Sequence, residues 1–256
     1  MSKPVFAFLV LEEHPYGCAM LERIVAAGHV PARIVVESSS VADEERAKFI
    51  QRIGGRKVAP ALSDQARALG VPVQTVPVHD SGHVVPLLRD LDLDLLVLGG
   101  TRILRGELLR VARDGVVNSH PGLLPECRGS SSPAWSVLHD IPVGATAHLC
   151  DDGIDTGDLL LRRELPVYRG ATYEDLCLGT LLLAGELMAE ALVAYDEGRW
   201  PELRRPQGSS SWPTFRNAPE EVLEQVRAKL AAETYAHYVD RPASGGSQPS
   251  MGSSTA

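Results

Sequence analysis

An α/β fold, built on a mostly parallel twisted sheet with flanking helices, is predicted by two features of this chain. Short apolar runs alternate with segments of helical periodicity over residues 1–200, the strand–helix–strand order that builds a parallel sheet. The apolar runs are nearly continuous, as in strands covered on both faces, and lack the alternation of a half-exposed strand.

Taken in order, "PVFAFLVL" (4–11) reads as a buried first strand and "GCAMLERIVAAG" (17–28) as a helix closed by glycine. "ARIVVES" (32–38) is a second strand, and residues 41–69 are helical with a break at "GGRKVAP". "VPVQTVPV" (71–78) is strand-like, and "GHVVPLLRDLDL" (82–93) is helical with Pro86 expected near its start. "DLLVLGG" (94–100) and "VVNSH" (116–120) are two more buried strands. After the loop 121–131, Ser132 as N-cap and Pro133 at the first helical position open a helix. "GATAHL" (144–149) is a strand, and "DDGIDTGDLL" (151–160) is a tight turn running into another. Residues 172–198 form a long helix, with Thr172 and Asp175 spaced as a capping box and Gly198 at its end. Residues 1–200 are thus one main domain. Residues 201–240 are a C-terminal extension with one amphipathic helix near 219–233, and the Ser- and Gly-rich 241–256 is a disordered tail. The extension either folds back on the core or makes a homodimer contact.

Composition narrows the function classes. The chain has 256 residues, 44 % of them apolar and 23 % charged, ordinary values for a globular protein. No continuous apolar run approaches the roughly 18 residues of a membrane span. The short N-terminal apolar stretch fits a first strand better than a secretory signal, which predicts a cytoplasmic protein with no membrane partner. Cys18, Cys127, Cys150 and Cys177 have no C-x-x-C spacing and read as small apolar residues, with no metal implied. The net charge of −8 argues against a nucleic-acid partner, because phosphate binding wants a basic face.

The stretch "VVNSHPGLLP" (116–125) carries the first chemistry. In parallel sheets, ligands bind outside the carboxyl ends of the strands. Asn118 and His120 stand at such an end, two residues apart, so both side chains face one crevice.

Together with "LVLGGTRIL", "VVNSHPGLLPECRGSSSP" and "GATAHLCDDGIDTGDLL" appear in this order. The set resembles the folate-dependent formyltransferases, the family of glycinamide ribonucleotide transformylase, methionyl-tRNA formyltransferase and the sugar N-formyltransferases. The resemblance covers about residues 4–200 and implies a Rossmann-like sheet. It implies that Asn118, His120 and Asp155 are catalytic and that 10-formyltetrahydrofolate is the formyl donor. It further implies that the pterin lies between Thr101, Arg102, Ile103 and Leu104 on one side and Asp151, Asp152, Gly153 and Ile154 on the other, held largely by backbone groups.

The chemistry independently suits these residues. An amine attacking the formyl carbon puts negative charge on the formyl oxygen, which an Asn amide or a protonated imidazole can stabilise. The amine loses a proton and the folate nitrogen gains one, which an Asp beside a His can relay. The oxyanion contact therefore goes to Asn118 and His120, and proton handling to Asp155 with His120. His148 is expected in a core or supporting role, and His139 in an exposed turn. Arg128 either meets an anion or is simply solvated, and Ser130, Ser131 and Ser132 either line the acceptor side or cap a helix.

The acceptor is the open question. "LVLEEHPYGCAML" after the first strand has two acids and one glycine, a poor phosphate cradle, which weighs against glycinamide ribonucleotide. Methionyl-tRNA formyltransferases carry a sizeable second domain, where only 201–240 follows here. Formyltetrahydrofolate hydrolases carry an N-terminal regulatory domain, where the first strand here begins at Pro4. What remains is a small-molecule amine, an amino sugar or a specialised-metabolism amine, with Glu12, Glu13 and His14 expected near it. Formimidoyl transfer, methionyl-tRNA formylation and a folate-binding non-enzyme stay as alternatives.

Overall fold

The computed structural model describes residues 3–241, so nearly all of the expected disordered tail lies outside the described residues. Seven strands form one sheet in the order β3-β2-β1-β4-β5-β6-β7. They are β1 (Phe6–Leu11), β2 (Arg33–Glu37), β3 (Val73–Val76), β4 (Leu95–Leu98), β5 (Val116–His120), β6 (Gly144–Leu149) and β7 (Leu159–Glu164). The first five are parallel. β6 runs antiparallel to β5, and β7 antiparallel to β6. The connection from β5 to β6 carries a seven-residue helix, α5 (Ser132–Leu138).

Helices α1 (Pro15–Ala26), α2 (Ser40–Arg52), α3 (Leu62–Leu69), α4 (Ser81–Leu88), α6 (Tyr173–Asp196), α7 (Trp200–Leu203) and α8 (Glu220–Ala231) complete the chain, with a 3-10 turn at Gly106–Arg110. A short parallel pair, β8 (Val167–Tyr168) and β9 (Tyr238–Val239), ties the C-terminal segment down. α1 and α6 bury one face of the sheet through Met20, Leu21, Ile24, Leu187 and Met188. α4 and the 3-10 turn bury the other through Val84, Leu88 and Leu108. The Thr172–Asp175 capping box forms as predicted. Pro86 falls inside α4, later than predicted, and the helix ends two residues beyond it. α6 is long and apolar enough by composition to cross a membrane, although no unbroken apolar run announces it; most of it is buried in this core. The extension folds back: Val226 and Leu230 of α8 belong to the same apolar cluster as α1 and α6.

One buried hydroxyl joins the sheet to the loop that follows β5. Thr146 of β6 donates to the Gly122 carbonyl (2.8 Å) and accepts from the Leu124 N–H (3.1 Å). Thr146→Val keeps the shape and strands both backbone groups, at a cost of about 2 kcal/mol. In a chain of this size the melting temperature should fall by about 4–8 °C. An unchanged calorimetric melting temperature would show that these groups find other partners.

Candidate active site

The carboxyl ends of β1, β4 and β5 meet where the strand order reverses, and a cleft of about 730 Å³ opens there. Thr101–Leu104 and the loop Cys150–Asp155 supply one wall; Ser130–Ser132 and Thr214–Asn217 supply another.

The polar floor holds four side chains. Asp155 Oδ2 lies 3.4 Å from His120 Nδ1, and its Oδ1 lies 3.6 Å from His148 Nε2. Asn118 Nδ2 lies 3.3 Å from His148 Nε2. The remaining nitrogen of each imidazole meets a carbonyl: His120 Nε2 that of Cys127 (2.7 Å), His148 Nδ1 that of Leu149 (2.8 Å). A carbonyl accepts only, so those nitrogens carry hydrogens. The nitrogens facing Asp155 are the ones free to take up or release a second proton. Burial pushes the Asp155 carboxyl upward, but His120, His148 and the Gly129 N–H outweigh it and hold the group well below the usual carboxylate range.

Local backbone places these groups. Asp155 sits in the left-handed region (φ 53°), aiming its side chain back at β5, and accepts the Gly129 N–H at 2.8 Å. Gly129 itself is left-handed (φ 95°), and a Cβ there would lie 2.1 Å from the Phe215 carbonyl oxygen. Ser132 does not cap α5. Its N-cap is Ser131, and the Ser132 hydroxyl instead lies 3.0 Å from His120 Nε2. Both His120 nitrogens therefore face protein oxygens, which leaves Asn118 as the amide donor directed at the cleft.

Of the predicted ring-binding residues, Thr101, Arg102, Ile103, Leu104, Asp151, Gly153 and Ile154 line the cleft, and Asp152 does not. Arg102 turns its guanidinium onto buried Glu37 (2.6 Å). Asp151 accepts from the Gly153 N–H (3.0 Å), so it braces its own turn. Ile103 is 55 % exposed, an apolar side chain uncovered at the cleft wall. Glu12 and Glu13 leave the cleft: Glu12 accepts from the Ser38 hydroxyl, and Glu13 accepts the Leu62 and Ser63 N–H groups at the start of α3. Arg128 spends its guanidinium on Gln207 (2.9 Å). His139 is not a free turn residue; it stacks among Trp135, Trp212 and Phe215. The four cysteines are free thiols, and burial pushes Cys127 up to about 11.

His148 belongs to the site more closely than its sequence context suggested. It pairs with Asn118 across the antiparallel β5–β6 ladder, a neighbourhood that a parallel reading of β6 conceals. The extension was also underestimated. Its segment 204–218 pairs with the core at Leu159–Arg205 and Gly129–Phe215, and reaches the cleft.

Residues 37–192 match the formyl transferase family model. The methionyl-tRNA formyltransferase of Anaeromyxobacter dehalogenans strain 2CP-1 is 35 % identical over 196 residues, covering 74 % of this chain and 59 % of that protein. This chain thus spans about three fifths of that relative's length. Glycinamide ribonucleotide transformylase 1 from Symbiobacterium toebii superposes with a TM-score of 0.59 at 22 % identity, covering 78 % of this chain and 91 % of that one. The formyltransferase PseJ from Anoxybacillus kamchatkensis, solved with UDP-4,6-dideoxy-4-formamido-L-AltNAc and tetrahydrofolate, gives 0.52 at 19 %, covering 84 % and 88 %. At these identities the two structures share the fold with this chain.

His14, at the cleft wall, gives the site a pH signature. It is the N-cap of α1, accepting from the Tyr16 N–H (3.3 Å), and its ring packs on Phe49 (4.8 Å). Burial lowers its pKa from 6.5 to about 4, against an opposing pull from Glu45. Between those values the unfolded chain binds a proton that the folded one refuses. Stability is therefore lost as pH falls from 6.5 toward 4, by on the order of 3 kcal/mol. His14→Asn retains an N-cap acceptor and should flatten the melting-temperature profile between pH 7 and 4. Parallel profiles for variant and wild type would remove His14 from that response.

Proposed function

The chain belongs to the formyl transferase family, and we propose that it transfers a formyl group from 10-formyltetrahydrofolate to the primary amine of a small-molecule acceptor. The observation that carries this reading is the Asp155 carboxylate held between His120 and His148 beside the Asn118 amide at the floor of one cleft. That set supplies an oxyanion donor and a proton relay within reach of one reacting carbon.

The donor wall fits a flat ring with a hydrogen-bonding edge. Ile103 and Leu104 offer apolar surface, and the backbone polar groups of Ile103, Leu104 and Ile154 have no partner among the described residues. The cleft volume suits a ligand of folate size. In the proposed reaction the amine nitrogen bonds to the formyl carbon, and negative charge grows on the formyl oxygen, where Asn118 donates. Asp155 with His120 or His148 takes the ammonium proton. The bond from the formyl carbon to the folate nitrogen then breaks, and that nitrogen receives the proton. The products are the formamide and tetrahydrofolate, and no redox step is needed.

At the acceptor end, Arg52, which donates to Asn217 Oδ1 (3.2 Å), and Arg216 line the cleft, and neither has a carboxylate partner among the described residues. Glu12 and Glu13, expected there, are spent elsewhere. This favours an acceptor that carries a phosphate or carboxylate some distance from its amine. The second reading, formylation of methionyl-tRNA, is favoured by the names of the sequence relatives. The net charge of −8 weighs against it.

Two measurements decide between these. Filter binding of initiator tRNA across a salt series should show no tight, steeply salt-dependent complex; such binding together with formylation of the charged tRNA would establish the second reading. Asp155→Asn tests the chemistry. Asn tolerates the left-handed backbone and can still accept from Gly129, so tetrahydrofolate binding should change little. kcat should fall on the order of 10²–10⁴-fold, the worth of a positioned acid–base group. Full turnover in a stable variant would remove Asp155 from the reaction.

A further inference from the structure

The segment 204–218 is anchored at both ends. Arg205 and Leu159 exchange backbone hydrogen bonds of 2.9 and 2.8 Å. The Phe215 N–H donates to Arg128 (2.9 Å), and the Phe215 carbonyl accepts from Ser130 (3.0 Å). Phe215 also stacks on Trp135 with ring centroids 5.0 Å apart. Between these anchors, half-buried Gln207 points toward the Asp155 turn. Its Nε2 donates to the Asp155 carbonyl (3.0 Å) and the Gly157 carbonyl (2.6 Å). Its Oε1 accepts from Arg128 Nη2 (2.9 Å) and Nε (3.3 Å). The partners fix the amide's orientation, because two carbonyls demand donors and a guanidinium demands an acceptor.

We propose that Gln207 is a positioning residue for formyl transfer: by holding the Asp155 and Gly157 carbonyls, it fixes the Asp155 carboxylate between His120 and His148. This rests on the reading of Asp155 as the proton-handling group. Gln207 does not line the cleft and touches no reacting atom. Its leverage comes from Asp155's left-handed backbone, which sets where the side chain points and which relaxes unless its surroundings hold it. The Gly129 N–H holds the carboxylate from the front, and Gln207 holds the same residue's carbonyl from behind. The side chain lies outside the residues matched by the family model, so the segment beyond 192 completes a site whose other members lie within it.

Gln207→Glu keeps the side-chain length and the Arg128 contact but turns a carboxylate oxygen toward two carbonyls. Gln207→Met, neutral and similar in length, is the companion should the charged variant fail to fold. In ligand-free protein, the imidazole resonances of His120 and His148 should titrate differently from wild type in either variant, while those of His237 stay in place. In single-turnover transfer the rate should drop at least tenfold, with the dissociation constant for tetrahydrofolate within twofold of wild type. On an Asp155→Asn background the same substitution should cost nothing further, because its effect runs through the carboxylate. Unchanged His120 and His148 titrations, or losses that add on the Asp155→Asn background, would overturn the proposal. A wild-type protein that formylates no amine would instead count against the proposed function, and the imidazole titrations would still judge Gln207.

Discussion

Everything in the cleft is arranged around keeping one largely buried carboxylate charged. A carboxylate moved out of water without partners is expensive and normally gains a proton instead. Asp155 avoids this because the Gly129 N–H donates to it and because each imidazole facing it becomes a cation against one of its oxygens on taking a second proton. Each imidazole is in turn fixed at its far nitrogen by a backbone carbonyl. The proton of this cluster is therefore confined to a few positions, all next to Asp155. A set so constrained costs little reorganisation when a proton arrives, which is what a relay requires.

The break in sheet direction serves that constraint. The antiparallel turn puts His148 directly opposite Asn118. β6 carries the chain toward the amino end of β5, where Leu149 pairs with Val117, and the loop that follows turns back to set Asp155 against His120. α5, in the connection between β5 and β6, also contributes to the site. Ser132 at its start shows the same economy, since its hydroxyl meets His120 instead of capping the helix.

How much of this could be read from the sequence follows from the range of each interaction. Asn118 and His120 were legible because strand periodicity and the Pro121–Gly122 stop are local signals. Asp155 was legible through its motif and the resemblance. His148 was undervalued because its partner is across a ladder whose direction the sequence pattern does not encode. Glu12 and Glu13 were misplaced for the opposite reason. They stand at a strand end, as expected, but the left-handed backbone of Glu13 turns its carboxylate to the start of α3, and Glu12 finds Ser38. Gln207 gives no local signal at all, because its two carbonyl partners lie about fifty residues earlier in the chain.

The two ends of the cleft are built in different ways. The proposed donor wall consists of contiguous loop segments after β4 and β6, and it offers mainly backbone groups with apolar cover from Ile103 and Leu104. Substitution of side chains leaves such a surface largely intact. The acceptor end draws Arg52 from the end of α2, Ser130 and Ser131 from the loop before α5, and Thr214–Asn217 from the C-terminal segment. In the proposed reaction, side chains from three separate regions would do the recognising there, so the identity of the amine would be written in residues that local pattern leaves unconstrained. The C-terminal segment has a part in both tasks. Its far end lines the acceptor side, while Gln207 near its start grips the turn that carries Asp155. An acceptor that pressed on Thr214–Asn217 would therefore load the same strap that holds the carboxylate, and selectivity and chemistry would be coupled through one stretch of chain.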